Sequence, residues 1–371
     1  MEKCEGFRMK KMKYMVVVPL LLASYSSHAD FTWNGFASIG AGVTMDEDEV
    51  FVIDELTGAR YTDELSFKPD TLFALQVSSD LGDDLSVTAQ LLGNGGNDFD
   101  MEFEWAYLSY NINSELTFQV GRLRTPFFVH SLSLDVGYTY NWIRPPSEFN
   151  TVSDLSKRIE GVDLTWSKTL GDFDTTFSLT YGNSEVDAII SLGPSNLKFK
   201  DVTGLTGQVT YDWLTVRAGY LEADAEVTPE SSGVTLPINA GYQIYTVAAI
   251  AEWDQYSIKS EYFQRNFPGN AGNDDTGWYL SGAYTIGDFT PHITFSTFKD
   301  NDTNSNPLAL EKYNSTIVGV KYNFHSNAAL KLEYISRSVD TTEEAASALI
   351  ARGGIPIVEA DVLAVAVDLI F

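Results

Sequence analysis

Lys259 and Glu261 stand two apart in an alternating segment, as do Lys331 and Glu333, with Arg337 following four residues on; Arg217 sits in a similar context. Side chains two apart on a strand share a face, so each set would oppose the apolar face of its own strand. Charge on that face has no use against lipid and suits water, ions or polar solutes. A second concentration of charge lies in segment 122–158, with Arg122, Arg124, Asp135, Arg144, Glu148, Asp154, Lys157 and Arg158. Opposed across a narrow aqueous passage, such groups set up a transverse field that orders dipolar solutes and biases ion passage. Paired with one another at the base of the segment, they would instead only hold it. Nucleophilic chemistry needs a base beside a nucleophile. The pairs His130-Ser131 and His325-Ser326 have no third orienting group nearby in sequence, and His292 is isolated. The reading is therefore non-enzymatic, with no metal centre built from histidines.

The elements that must position these residues follow from the chain's patterning. Residues 9–15 are basic, Val16 to Ala23 are apolar apart from Pro19, and Ser27-His28-Ala29 has the small-x-small form of a cleavage site. This pattern predicts a secretory signal peptide over 1–29 and an exported chain over 30–371. The single cysteine, Cys4, falls within the signal, so no disulfide framework is expected. A formal net charge of −27 argues against nucleic acid as a partner. No later stretch is apolar enough for a helical membrane span.

Period-two alternation dominates instead, as in 85–91, 116–120 and 173–181. Short turns near 81–84, 111–114, 170–172, 211–212, 254, 286–288 and 324–327 alternate with long polar segments at 45–69, 93–101, 122–158, 183–200, 223–241, 265–275, 300–312 and 339–360. Short turns on one side and long loops on the other characterise a transmembrane β-barrel. The predicted fold is thus all-β, a transmembrane antiparallel barrel of 16 strands of about 10–12 residues, which at ~3.3 Å per residue and ~40° tilt cross the ~25 Å apolar band of an outer membrane. A barrel of that size should enclose water rather than a packed core. Tyr110, Tyr181, Tyr211, Tyr220, Tyr284, Tyr322 and Phe324 fall at strand ends, as an interfacial girdle requires. In the final strand Leu363, Val365, Val367, Leu369 and Phe371 share one face.

The strand count, the terminal Phe371 and the long third loop together resemble the general porins of the Gram-negative outer membrane. The segment Gly121-Arg122-Leu123-Arg124-Thr125-Pro126-Phe127-Phe128, with Leu134 to Tyr138 and Trp142 to Glu148, is similar to one in gammaproteobacterial porin-like proteins. The resemblance implies a homotrimer, a third loop folded into the lumen as a constriction, and Phe371 as a signal read by the barrel assembly machinery. It implies a water-filled channel for passive diffusion of small hydrophilic solutes and ions. The loop's own composition agrees: Phe127, Phe128, Leu132, Tyr140, Trp142 and Ile143 need a surface to pack against, and the inner wall is nearest. Arg122, Arg124, Asp135, Arg144 and Glu148 would then flank the constriction, and Arg217, Lys259, Glu261, Lys331, Glu333 and Arg337 would line the pore. A surface adhesin or receptor platform on the same barrel is the rival reading. No cofactor is expected. The acidic first loop, with Asp46, Glu47, Asp48, Glu49, Asp54, Glu55, Asp63 and Glu64, reads as a solvated segment, or else as a Ca²⁺ or Mg²⁺ bridge to lipopolysaccharide.

Overall fold

In a computed structural model, residues 30–371 are described, apart from 48, 55–56, 150–156, 191–192, 231–235, 269–273, 302–311 and 341–356. The predicted signal and its cleavage site lie outside the described residues, as do Asp48, Glu55 and Asp154. Among the described residues, eighteen strands form. Strand β1 (Phe31–Thr44) precedes a small hairpin of β2 (Phe51–Asp54) and β3 (Ala59–Tyr61). Then come β4 (Leu72–Gly82), β5 (Leu85–Asn94), β6 (Met101–Asn111), β7 (Leu116–Arg124) and β8 (Arg158–Leu170). The series continues with β9 (Phe173–Ile190), β10 (Gly193–Tyr211), β11 (Leu214–Pro229), β12 (Leu236–Trp253) and β13 (Tyr256–Asn266). It ends with β14 (Asp274–Tyr284), β15 (Phe289–Asn301), β16 (Lys312–His325), β17 (Ala328–Val339) and β18 (Ala360–Ile370). All but β2 and β3 join one closed antiparallel barrel of 16 strands, in which β18 pairs with β1.

Local chemistry explains the tight ends. Asp83 and Asp84 both take positive φ (51° and 63°), as a two-residue hairpin turn demands, and Gly171 and Gly287 supply the same backbone region in two others. Leu108, Val120, Leu179, Leu205 and Val216 point outward and are exposed, because lipid replaces a protein core on that side. Two aromatic bands bound this belt. Tyr110, Phe173, Tyr211, Trp213, Trp253, Tyr284 and Phe324 are exposed near the short turns, and Tyr181, Tyr245, Tyr262 and Trp278 near the loop side.

Strands β9 to β12 are longer than their alternation predicts. Segments 183–200 and 223–241, expected as loops, largely continue the ladder. Their pattern inverts above the belt. A register shift between Lys200 and Thr203, with Asp201 at φ 51°, separates the two parts of β10. Beyond it Leu197 and Phe199 are buried inside, while Glu185, Asp187 and Lys200 are exposed outside. Water rather than lipid bathes this outer face, so the polar side chains there are the mark of a strand that has left the membrane.

The acidic first loop also departs from expectation. Rather than lying wholly in solvent, it tucks its β2–β3 hairpin inward, burying Phe51, Val52, Ile53 and Tyr61 in the same apolar cluster as the third loop. Its described acidic residues flank that apolar tongue in sequence. Among the described residues no group of three or more His, Cys, Asp or Glu side chains could hold a metal ion.

Candidate functional site

The connection from β7 to β8 enters the barrel. Phe127, Phe128, Trp142 and Phe149 are buried and meet wall aromatics edge-on: Phe149 lies 5.0 Å from both Phe263 and Tyr279, and Trp142 lies 5.6 Å from Tyr279. Each such ring contributes on the order of 2 kcal/mol through burial, plus a smaller term from edge-to-face geometry. The loop descends far. Tyr138 Oη donates to the carbonyl of Ser326, in the short turn between β16 and β17, at 2.8 Å.

Charged wall residues grip the loop backbone. Lys331 is wholly buried and its ammonium donates to the carbonyls of Gly137 (2.6 Å) and Trp142 and pairs with Asp368 at 2.7 Å. Lys321 donates to the Tyr138 carbonyl at 2.5 Å and Arg217 to that of Pro126. Glu261 accepts from the Val129 amide at 3.0 Å, and Glu333 from the Ile143 amide at 2.8 Å. Trp142 Nε1 donates to Thr294 Oγ1 at 2.8 Å. Gly137 passes so close to the wall that a Cβ there would collide with Asp368 and lie 2.9 Å from Ser38 Oγ. Arg337 ties both inserted loops: its guanidinium donates to the Val52 carbonyl (3.1 Å) and to Ser147 Oγ (2.5 Å) and lies 3.9 Å from the Phe51 ring centroid.

Several sequence expectations are corrected here. Glu261, Lys331, Glu333 and Arg337 face inward as their period demands, but the loop covers them and their polar atoms hold it, so they are not bathed by lumen water. Lys259, half-buried and 3.3 Å from Glu252, lies towards the short-turn end. Arg122 does not enter the constriction. Strand β7 runs on to Arg124, and Arg122, two residues from lipid-facing Val120, shares its outer face and stands 3.7 Å from exposed Glu160. Arg124, Asp135, Arg144 and Glu148 are all buried. Arg124 bonds Glu104 at 2.9 Å and also Asp135, and Lys157 stands 3.5 Å from Asp135. Arg144 pairs with Asp70 at 2.5 Å, and Asp70 accepts from Tyr61 Oη at 2.7 Å. Burial by itself would raise the Asp135 carboxyl, but Arg124 and Lys157 outweigh it and hold the group at about 2. Arg124, Asp135 and Arg144 are thus held in buried ion pairs rather than standing unpaired across the lumen. The site residues named from sequence omit Glu104, Asp70 and Asp368; for Glu104 and Asp368 a carboxylate on the inner face of a strand was the available signal, whereas Asp70 lies in the turn before β4.

His130 offers no catalytic arrangement. Burial, with Lys259 adding to it, lowers its imidazole to about 3, and its ring is wedged 5.6 Å from Tyr140 and 5.4 Å from Trp142. Ser131 Oγ accepts from the Phe128 amide instead.

The covered half of the wall is β12 to β18 with β1. The other half, β4 to β11, is buried on the upper part of its inner face, at Ala74, Leu92, Glu104, Leu123, Ile159 and Leu221, and half-exposed and almost free of charge towards the short turns. Ser78 and Thr88 share a hydrogen bond at 3.1 Å, as do Gln90 and Gln76 at 3.2 Å. Thr165 meets Ser178 at 2.7 Å, and Thr210 meets Thr215 at 2.9 Å. A closed barrel with a lipid-facing belt, an inward loop and a polar uncovered wall is the arrangement of an outer-membrane channel. The model of the Gram-negative porin family matches residues 16–342. The chain belongs to the Gram-negative porin family. Solved porins share its fold at low identity. The outer-membrane channel DcaP of Acinetobacter baumannii is 16% identical with a TM-score of 0.62, covering 94% of this chain and 99% of that one. An anion-selective porin from Comamonas acidovorans is 15% identical at 0.57, covering 92% and 100%. A trimer form of OmpT of Vibrio cholerae is 12% identical at 0.57, covering 92% and 99%. No curated protein matches by sequence. This porin is a protein of the outer membrane.

Proposed function

We propose that this porin is a weakly selective passive channel for small hydrophilic solutes, with the third loop as its constriction. The observation that carries the reading is the division of the lumen: one half is filled by the loop, and the other keeps a half-exposed wall of hydroxyls and amides. Acidic side chains on the outer face above the belt, such as Glu185, Asp187 and Glu222, would enrich cations near the entrance within a Debye length of ~10 Å at 0.1 M salt and lose that influence at 1 M. A homotrimer is part of the proposal, supported by the trimer form of OmpT. So is assembly through the outer-membrane insertion machinery: Phe371 is exposed on the lipid side, stacks 6.0 Å from Phe73 and exchanges backbone hydrogen bonds with Gly35. Lipid and lipopolysaccharide are the surrounding partners proposed.

Purified protein in a planar bilayer should give current steps in groups of three. Removing residues 131–141 should enlarge each step. An electrically silent barrel would overturn the channel, and an unchanged conductance after the deletion would overturn the loop as its constriction.

A further inference from the structure

Towards the short turns, the wall that borders the open half of the lumen is nearly free of charge, with Gln76, Ser78, Thr88, Gln119, Thr165, Thr206 and Gln208 half-exposed on it. On the wall, apart from the buried cluster of Glu104 with Arg124, Lys157 and Arg158, the inner faces of β4 to β11 within the membrane belt carry one carboxylate and one guanidinium, and both are hydrogen-bonded. Asp163 is buried and accepts from Thr165 and Thr180, each at 2.6 Å. Arg217 is turned to the Pro126 carbonyl and stands 3.2 Å from Gln208 Oε1. The rest of that surface is Ser, Thr and Gln with Trp105 and Tyr107. On the loop, the described side chains that are not buried between 131 and 141 are Leu132, Ser133, Leu134, Val136, Tyr138, Thr139 and Asn141, none of them ionised at neutral pH. The charges that could have faced the gap, Asp135 and Arg144, are consumed in pairs with Arg124, Lys157 and Asp70.

We propose that this channel favours small uncharged polyhydroxylated solutes over charged solutes of equal size, an inference that rests on the channel reading above. A charged solute that sheds part of its hydration in a narrow passage needs fixed counter-charge to compensate, and along this wall only Arg217 and the buried Asp163 could provide it. A polyol exchanges water hydrogen bonds for others of the same kind. Each wall hydroxyl has one donor and two acceptor sites, and each Gln amide donates and accepts. A bond such as Ser78–Thr88 uses one donor and leaves the remaining sites turned to the passing solute. The apolar edge formed by Leu132, Leu134 and Val136 gives the solute's C–H surface a dry side to slide against.

The test uses the intact protein in liposomes, with glucose, gluconate and glucosamine as size-matched neutral, anionic and cationic probes. Swelling with glucose should be at least about threefold faster than with either charged probe at 0.1 M ionic strength, since selectivity here comes from wall chemistry and not from width. Equal or faster entry of gluconate or glucosamine, in liposomes whose ionic conductance shows the pore to be open, would overturn the preference and leave the channel standing. Absence of both conductance and swelling would remove the channel itself and this inference with it. A second measurement places the path. Thr88→Lys puts one cation on the wall and should raise the gluconate-to-glucosamine entry ratio at least about fivefold; an unchanged ratio in a conducting variant would show that solutes do not travel along this wall and overturn the proposal.

Discussion

Lys331 uses all three ammonium protons on Asp368 and on the carbonyls of Gly137 and Trp142, and it lies 4.7 Å from the Tyr140 ring centroid. Lys331→Met would keep the volume but leave Asp368 buried opposite no ammonium. Removing one partner of a buried pair costs about 3–5 kcal/mol. The third loop should detach from β17, raising single-channel conductance and open-channel noise; a variant with wild-type conductance and noise would contradict the assigned grip. Asp135 allows a separate test by pH. Its folded carboxyl, at about 2, lies below its ordinary value of 3.8, so its pairing with Arg124 and Lys157 stabilises the protein fully above about pH 4 and is lost as pH falls through 2. The melting difference between wild type and Asp135→Asn should therefore be constant from about pH 8 to pH 4 and shrink towards zero near pH 2. A difference that already collapses near pH 6 would exclude this pairing as its source.

At the scale of elements, the two inserted loops are linked through Arg337. Arg337→Met should raise amide hydrogen exchange in both 51–61 and 137–149, whereas Lys331→Met should affect the third loop alone. Exchange unchanged at 51–61 in the Arg337 variant would show that the hairpin is held elsewhere. The same elements explain what sequence could reveal. Alternation in β1, β4 to β8 and β13 to β18 was legible because one face meets lipid and the other does not. It was not legible in the upper parts of β9 to β12, where Glu185, Lys198, Lys200 and Asp224 face water and read as loop. The direction of Glu261, Lys331, Glu333 and Arg337 was also legible, since period fixes a face. What covers that face is decided by residues 132 to 190 positions away, such as Val129, Ile143 and Ser147, and no local pattern encodes it. Arg122 was placed one element too late because β7 continues past Gly121, whose φ of 138° and close approach to Tyr107 keep the strand paired where a loop was expected. The β2–β3 hairpin was hidden by the acidic residues flanking its few apolar ones.

Across the whole molecule, every barrel strand turns one face outward to the apolar belt while only half the wall borders the passage, so the two faces of one strand tolerate opposite substitutions. Leu205→Arg places a cation against acyl chains and should cost about 2–4 kcal/mol near the bilayer midplane. Thr206→Arg, on the inner face of the same strand, should cost far less. Comparing the two by urea unfolding in lipid vesicles checks the register of β10, and equal penalties would contradict it. One more property follows from where Gly137 rests. Its seat is made by Asp368 on β18 and Ser38 on β1, whose own hydrogen bond of 2.6 Å bridges the junction at which the barrel closes on itself. Until those two strands meet, the part of the loop around Gly137 lacks its seat, although β13, β15 and β17 can already hold its flanks. A chain stalled before closure should therefore leave this tip unhoused and open to proteases.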